Sequence, residues 1–113
     1  GNRVNVQDYA CIHQAGGFPV VLEDDVTLGH GAIVHACTVR KGALIGMNAV
    51  VLDGAEIGEG AVVAAGAVVL GKTKVGAHEI WAGVPAKKMN KAADLGEAEW
   101  FAEEYVKLKE FYK

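Results

Sequence analysis

Aliphatic residues recur every six positions through most of this chain. They run Leu22, Leu28, Val34, then Val39, Ile45, Val51, Ile57, Val63, Val69 and Val75, with a single five-residue step from Val34 to Val39. Two places before most of them stands a small or β-branched residue, from Val26 and Ala32 through Cys37 and Ala43 to Ala67 and Thr73. Three places after many of them stands a turn former, at Gly31, Gly42, Asn48, Gly54, Gly60 and Gly66. Side chains two apart on a strand share a face, and a corner taken at φ > 0 favours Gly or Asn. The pattern therefore predicts short strands alternating with turns, the hexapeptide form of a β-helix.

Counting from Val6 and Ile12 gives twelve hexads, or four coils if three hexads close one triangular turn. Residues about one coil apart then stack as parallel-strand neighbours, roughly 4.8 Å apart. Their inward side chains form a continuous column of Val, Ile and Ala. The 51% hydrophobic content reads as that narrow core, because no apolar run approaches the roughly 20 residues of a membrane-spanning helix. No basic, apolar, cleavable leader opens the sequence. A single soluble domain is expected.

Gly1-Asn2-Arg3-Val4-Asn5 has the form of a hexad without its leading aliphatic residue. The chain is expected to be part of a longer natural protein. The solenoid is assigned to residues 1–86, where Gly83-Val84-Pro85-Ala86-Lys87 ends the coil, and residues 87–113 to a linker and a C-terminal α-helix. In that helix Ala98, Phe101, Tyr105, Leu108 and Tyr112 are spaced three and four apart on one face. Trp100 and Phe111 flank it, and Asp94 with Glu97 three places on reads as its N-cap.

A net charge of −3, with Lys and Arg scattered instead of striped, speaks against nucleic-acid binding. Cys11 and Cys37 fall at or beside inward positions and read as small buried thiols, fitting a reducing, cytoplasmic setting.

Histidine placement adds chemistry to this frame. His13 directly follows the hexad leader Ile12, and His35 directly follows Val34. The segment between Ile12 and Leu22 is four residues too long, with 14–19 supplying an outward loop. Once that loop is set aside, His13 and His35 occupy the same corner position in successive coils. Both imidazoles should point outward and can converge on a metal at about 2.1 Å from each nitrogen. His30, two places after Leu28, lies on the preceding face and could meet the other two only from a neighbouring molecule packed around a threefold axis. Three histidines with an open fourth position suit a catalytic zinc; outward histidines on a solenoid are also ordinary surface or interface residues. His78, in a later turn, reads as an ordinary exposed histidine.

Asn5-Val6-Gln7-Asp8, His13, Gly29-His30-Gly31 and His35-Ala36-Cys37-Thr38-Val39 resemble the metal-site segments of the gamma-class carbonic anhydrase family and its relatives in phenylacetate and carnitine metabolism. The stretch from Ala43 to Val63 and Gly83-Val84-Pro85-Ala86-Lys87 resemble those relatives too. The resemblance implies a left-handed parallel β-helix and a homotrimer with a metal at each subunit interface. It implies that His13 and His35 of one subunit and His30 of the next hold zinc, or iron or cobalt. Gln7 would contact the bound solvent or bicarbonate, with Asp8 behind it.

The family's Arg-Gly-Asp segment would precede Gly1, Glu79-Ile80-Trp81 stands where relatives often carry a Tyr, and no acidic proton-shuttle loop is visible. The expected activity is metal-dependent hydration of carbon dioxide by a metal-bound hydroxide. The alternatives are hydrolysis of a coenzyme A thioester at the same site, metal-free acyl transfer from coenzyme A, and a non-catalytic trimeric scaffold.

Overall fold

The computed structural model describes residues 1–14 and 19–89. Its strands are two or three residues long. In chain order they are β1 (Asn5–Val6), β2 (Cys11–His13), β3 (Val21–Leu22), β4 (Thr27–Leu28), β5 (Ile33–His35), β6 (Thr38–Val39) and β7 (Leu44–Ile45). They continue as β8 (Val50–Val51), β9 (Glu56–Ile57), β10 (Val62–Val63), β11 (Val68–Val69), β12 (Lys74–Val75), β13 (Ile80–Ala82) and β14 (Lys87–Lys88). From β1 to β13 every third strand joins the same sheet, and β14 is added to the first by an antiparallel pairing with β13, giving the orders β1-β4-β7-β10-β13-β14, β2-β5-β8-β11 and β3-β6-β9-β12. Three faces and about four turns make a parallel β-solenoid. The expected hexapeptide architecture is the observed one.

Strands this short have no stability alone; each is held by the coils above and below. Thr27 N–H donates to the Ala43 carbonyl at 3.1 Å and Gly29 N–H to that of Ile45 at 2.7 Å, and the same ladder runs along each face. Inside, the leaders Leu28, Val34, Val39, Ile45, Val51, Ile57, Val63 and Val69 are fully buried, packed with Val26 and the alanines at 32, 43, 49, 55, 61 and 67. At the corners the third residue after a leader takes the left-handed conformation, at Gly31, Gly42, Asn48, Gly54, Gly60 and Gly66 as expected. Tyr9, Asp25, Lys72 and His78 adopt it at the same place in their hexads. The shortened hexad after Val34 turns at Ala36 instead.

Val6 and Ile12 lead their hexads and are 45% and 46% exposed, on strands that each have one partner among the described residues. Two expectations are corrected. Cys11 is exposed while Cys37 is buried: Cys11 adjoins the inward Ile12, so alternation turns it outward, level with Ile33. Lys87–Lys88, expected to begin a linker, pairs antiparallel with Trp81–Ala82 after the turn at 83–86. The expected C-terminal helix lies outside the described residues, as does most of the loop after His13.

The outward surfaces of the three faces differ in chemistry. On the β3-β6-β9-β12 face, Arg40 pairs with Glu23 at 3.0 Å and Glu56 at 3.2 Å, a polar ladder suited to water. The β2-β5-β8-β11 face presents Ile33, Val50 and Val68 in one column. Its neighbouring column runs His13, His35, Leu52 and Leu70, the residues that each follow a leader. Both histidines therefore stand on the apolar side of the molecule.

Candidate metal centre

His13 and His35 end β2 and β5, and the parallel register pairs them directly. Their rings stack with centroids 4.6 Å apart and planes 14° from parallel. Two nitrogens bound to one tetrahedral ion at about 2.1 Å lie roughly 3.4 Å from each other. A modest tilt of the two ring edges closes that gap. Stacked imidazoles on an outward face suit zinc in donor type and spacing, provided that a third ligand comes from elsewhere.

That ligand does not come from the described residues of the same chain. Among the described residues, no three of His, Cys, Asp and Glu gather where they could hold one ion. His30 follows β4 in the turn at the preceding corner, and β5, which ends at His35, adds about 3.3 Å per residue between them. Its ring meets that of Tyr9 edge-on, with centroids 5.2 Å apart and an interplanar angle of 78°. Tyr9 is itself 85% exposed. The pair forms an outward corner at the other end of the histidine-bearing face.

Gln7 and Asp8 lie just after β1, on that same corner. Continuing the register of Val6 on Leu28 places Gln7 over Gly29 and Asp8 over His30. Gln7 N–H donates to the Leu28 carbonyl at 3.0 Å and Gly31 N–H to that of Asp8 at 3.0 Å, which fixes the backbone there. The Gln7 side chain donates through Nε2 to Asn5 Oδ1 at 2.5 Å, while the Asp8 side chain is exposed. The structure thus brings His13 and His35 together at one end of the face, and Gln7, Asp8 and His30 at the other.

One contact escaped the reading of the sequence. His35 Nδ1 is hydrogen-bonded to Asp53 Oδ1 in the next coil. The register here is 17 residues, Val34 on Val51, so Leu52 follows His35 in the column and Asp53 reaches the ring from one place further on, in the turn, which stacking arithmetic does not show. Cys37 is no competitor as a ligand: burial is the main cause that pushes its thiol up to about 11, and it stays protonated inside the core.

Known proteins extend this picture. A family model described as bacterial transferase hexapeptide (six repeats) matches residues 36–71. A carbonic anhydrase of Geobacillus kaustophilus is 45% identical over 115 residues, spanning all of this chain and 63% of that protein. The mitochondrial gamma carbonic anhydrase 2 of Arabidopsis thaliana is 36% identical over 83% of this chain and 36% of its own length. The crystal structure of a hexapeptide transferase family protein from Anaplasma phagocytophilum superposes with a TM-score of 0.73 at 35% identity, covering 99% of this chain and 67% of that one. The chain thus spans less than two thirds of the length of the two carbonic anhydrases.

Proposed function

The chain belongs to the hexapeptide transferase family, and from that premise we propose that it is a gamma-class carbonic anhydrase-like subunit whose metal site is completed by a second copy. The observation that carries this reading is the pair of stacked histidines on an apolar face, with His30 held at the opposite end of that face. Packing such faces around a threefold axis sets His30 of the partner subunit beside His13 and His35. A homotrimer then has three equivalent sites.

Zinc, or iron or cobalt, held by those three imidazoles supplies the Lewis acidity that brings the ionisation of water to near neutral pH. The chain's own groups do the rest. The Gln7 amide, turned by its donation to Asn5, orients carbon dioxide and bicarbonate by donating or accepting without adding charge to the site. Asp8 stands behind it and over His30. Ile33, Val50 and Val68 exclude bulk water around the pocket once the faces close. The cell compartment that fits is the cytoplasm.

Metal analysis, sedimentation and a carbon dioxide hydration assay on protein purified without chelator test this together. The expected result is a trimer with one ion per chain and hydration activity that is lost on chelation. A folded assembly with no metal overturns it. The likeness to a hexapeptide transferase family protein favours acyl-coenzyme A chemistry as the second reading. Acyl transfer or thioester hydrolysis without hydration activity would establish that instead, and a metal-loaded trimer inert in all three assays would leave a scaffold.

A further inference from the structure

Of the two stacked histidines, His35 has a carboxylate at its back. Nδ1 of its ring is hydrogen-bonded to Oδ1 of Asp53, which lies in the turn after β8, one coil further on. The ring is mostly shielded, with 28% of the His35 side chain exposed against 61% of Asp53. The backbone of Asp53 is anchored independently of its side chain, since Lys72 N–H donates to its carbonyl at 2.9 Å. A rigid main chain thus holds the carboxylate against one particular ring nitrogen.

A carboxylate can only accept. The hydrogen must therefore sit on Nδ1, and in the neutral ring that leaves Nε2 as the lone-pair nitrogen. Stacking against His13, with planes 14° apart, restricts rotation of the same ring from its other side. Two independent contacts define both the tautomer and the plane of His35.

The geometry points to Asp53 as the positioning residue of His35: it holds the ring in the Nδ1–H tautomer and turns Nε2 outward as the available ligand atom. This deepens the metal-site reading proposed above and rests on it for its use. A carboxylate behind a ligating imidazole fixes its orientation and raises its basicity, and removing such a partner typically weakens metal affinity about 10–100-fold.

The test compares wild type with Asp53→Ala and Asp53→Asn. In metal-free protein, two-dimensional NMR of the imidazole nitrogens reads the His35 tautomer without recourse to activity. Wild type should show Nδ1–H, Asp53→Ala should lose that bias, and Asp53→Asn, which keeps an acceptor oxygen, should restore it in part. Zinc titration of the same proteins should show affinity weakened about 10–100-fold in Asp53→Ala and less in Asp53→Asn, with circular dichroism unchanged. An Nε2–H tautomer in wild type, or equal tautomer populations and zinc affinity in wild type and Asp53→Ala, overturns the proposal. Wild type with the Nδ1–H tautomer but no zinc binding supports the positioning of His35 and sinks the metal reading instead.

Discussion

Gly31 and Asn48 occupy the same corner in successive coils, both in the left-handed conformation, with φ of 71° and 59°. A Cβ built onto Gly31 would collide with Asn48 Oδ1. The left-handed region costs a residue with a Cβ about 1–2 kcal/mol. Gly31→Ala should lower unfolding free energy by that much, plus the displacement of the Asn48 side chain. Gly42 is the comparison, at φ 72° with nothing within 4 Å of an added Cβ. Urea unfolding should show Gly42→Ala as the milder change; equal losses would mean that the Asn48 contact carries no weight.

Ile57 tests the column of the core. It is fully buried, and β9 lies between β6 and β12. Truncation leaves a void that coils on either side cannot collapse into, because their spacing is set by backbone hydrogen bonds. Ile57→Ala should cost about 2–5 kcal/mol and Ile57→Val about 0.5–1.5 kcal/mol. Thermal or chemical unfolding checks both; a loss under 1 kcal/mol for the alanine variant would show a looser interior than this packing implies.

Glu79 makes stability depend on pH. Lys88 at 2.9 Å from Oε2, the Trp81 indole at 3.1 Å from Oε1 and Gly76 N–H at 2.7 Å hold its carboxyl below the usual value, Lys88 contributing most. A lowered pKa in the folded state gives stabilisation that is present above the unfolded pKa and is lost as pH falls through the folded one. Wild type should therefore lose stability below the ordinary glutamate range, and Glu79→Gln should lose less over the same interval. Parallel curves of unfolding free energy against pH for the two proteins would rule this out.

Leu70 is 49% exposed on the face that carries both histidines. It lies two coils beyond His35 in the same outward column. Leu70→Lys should leave the coil folded while weakening self-association, since a charge then faces an apolar partner. Sedimentation at micromolar concentration would read a shift to smaller species. A variant that assembles as wild type does would place the subunit contact on another face.

Gln7 separates a working metal centre from a structural one. Its side chain hydrogen bond goes to Asn5, at the surface of the first coil, so removing it should not disturb the core. Gln7→Ala is expected to keep metal content and assembly while turnover falls by about an order of magnitude or more. Unchanged hydration in a metal-loaded variant would remove Gln7 from the chemistry.

The hexapeptide period alone determined the solenoid, the buried leaders and the left-handed corners. Each is set within a few residues: alternation chooses the inward side chain, and the turn chooses Gly or Asn. Even the pairing of His13 with His35 was legible, since a four-residue loop added to a regular coil of 18 gives their 22-residue separation. What a neighbouring coil does to a side chain was not. Only the tertiary structure folded Lys87–Lys88 back onto Trp81–Ala82 and laid Asp53 against His35. The Asp53–His35 contact joins residues 18 apart along the chain, and its geometry comes from side-chain direction at a corner, which a repeat in residue type does not encode.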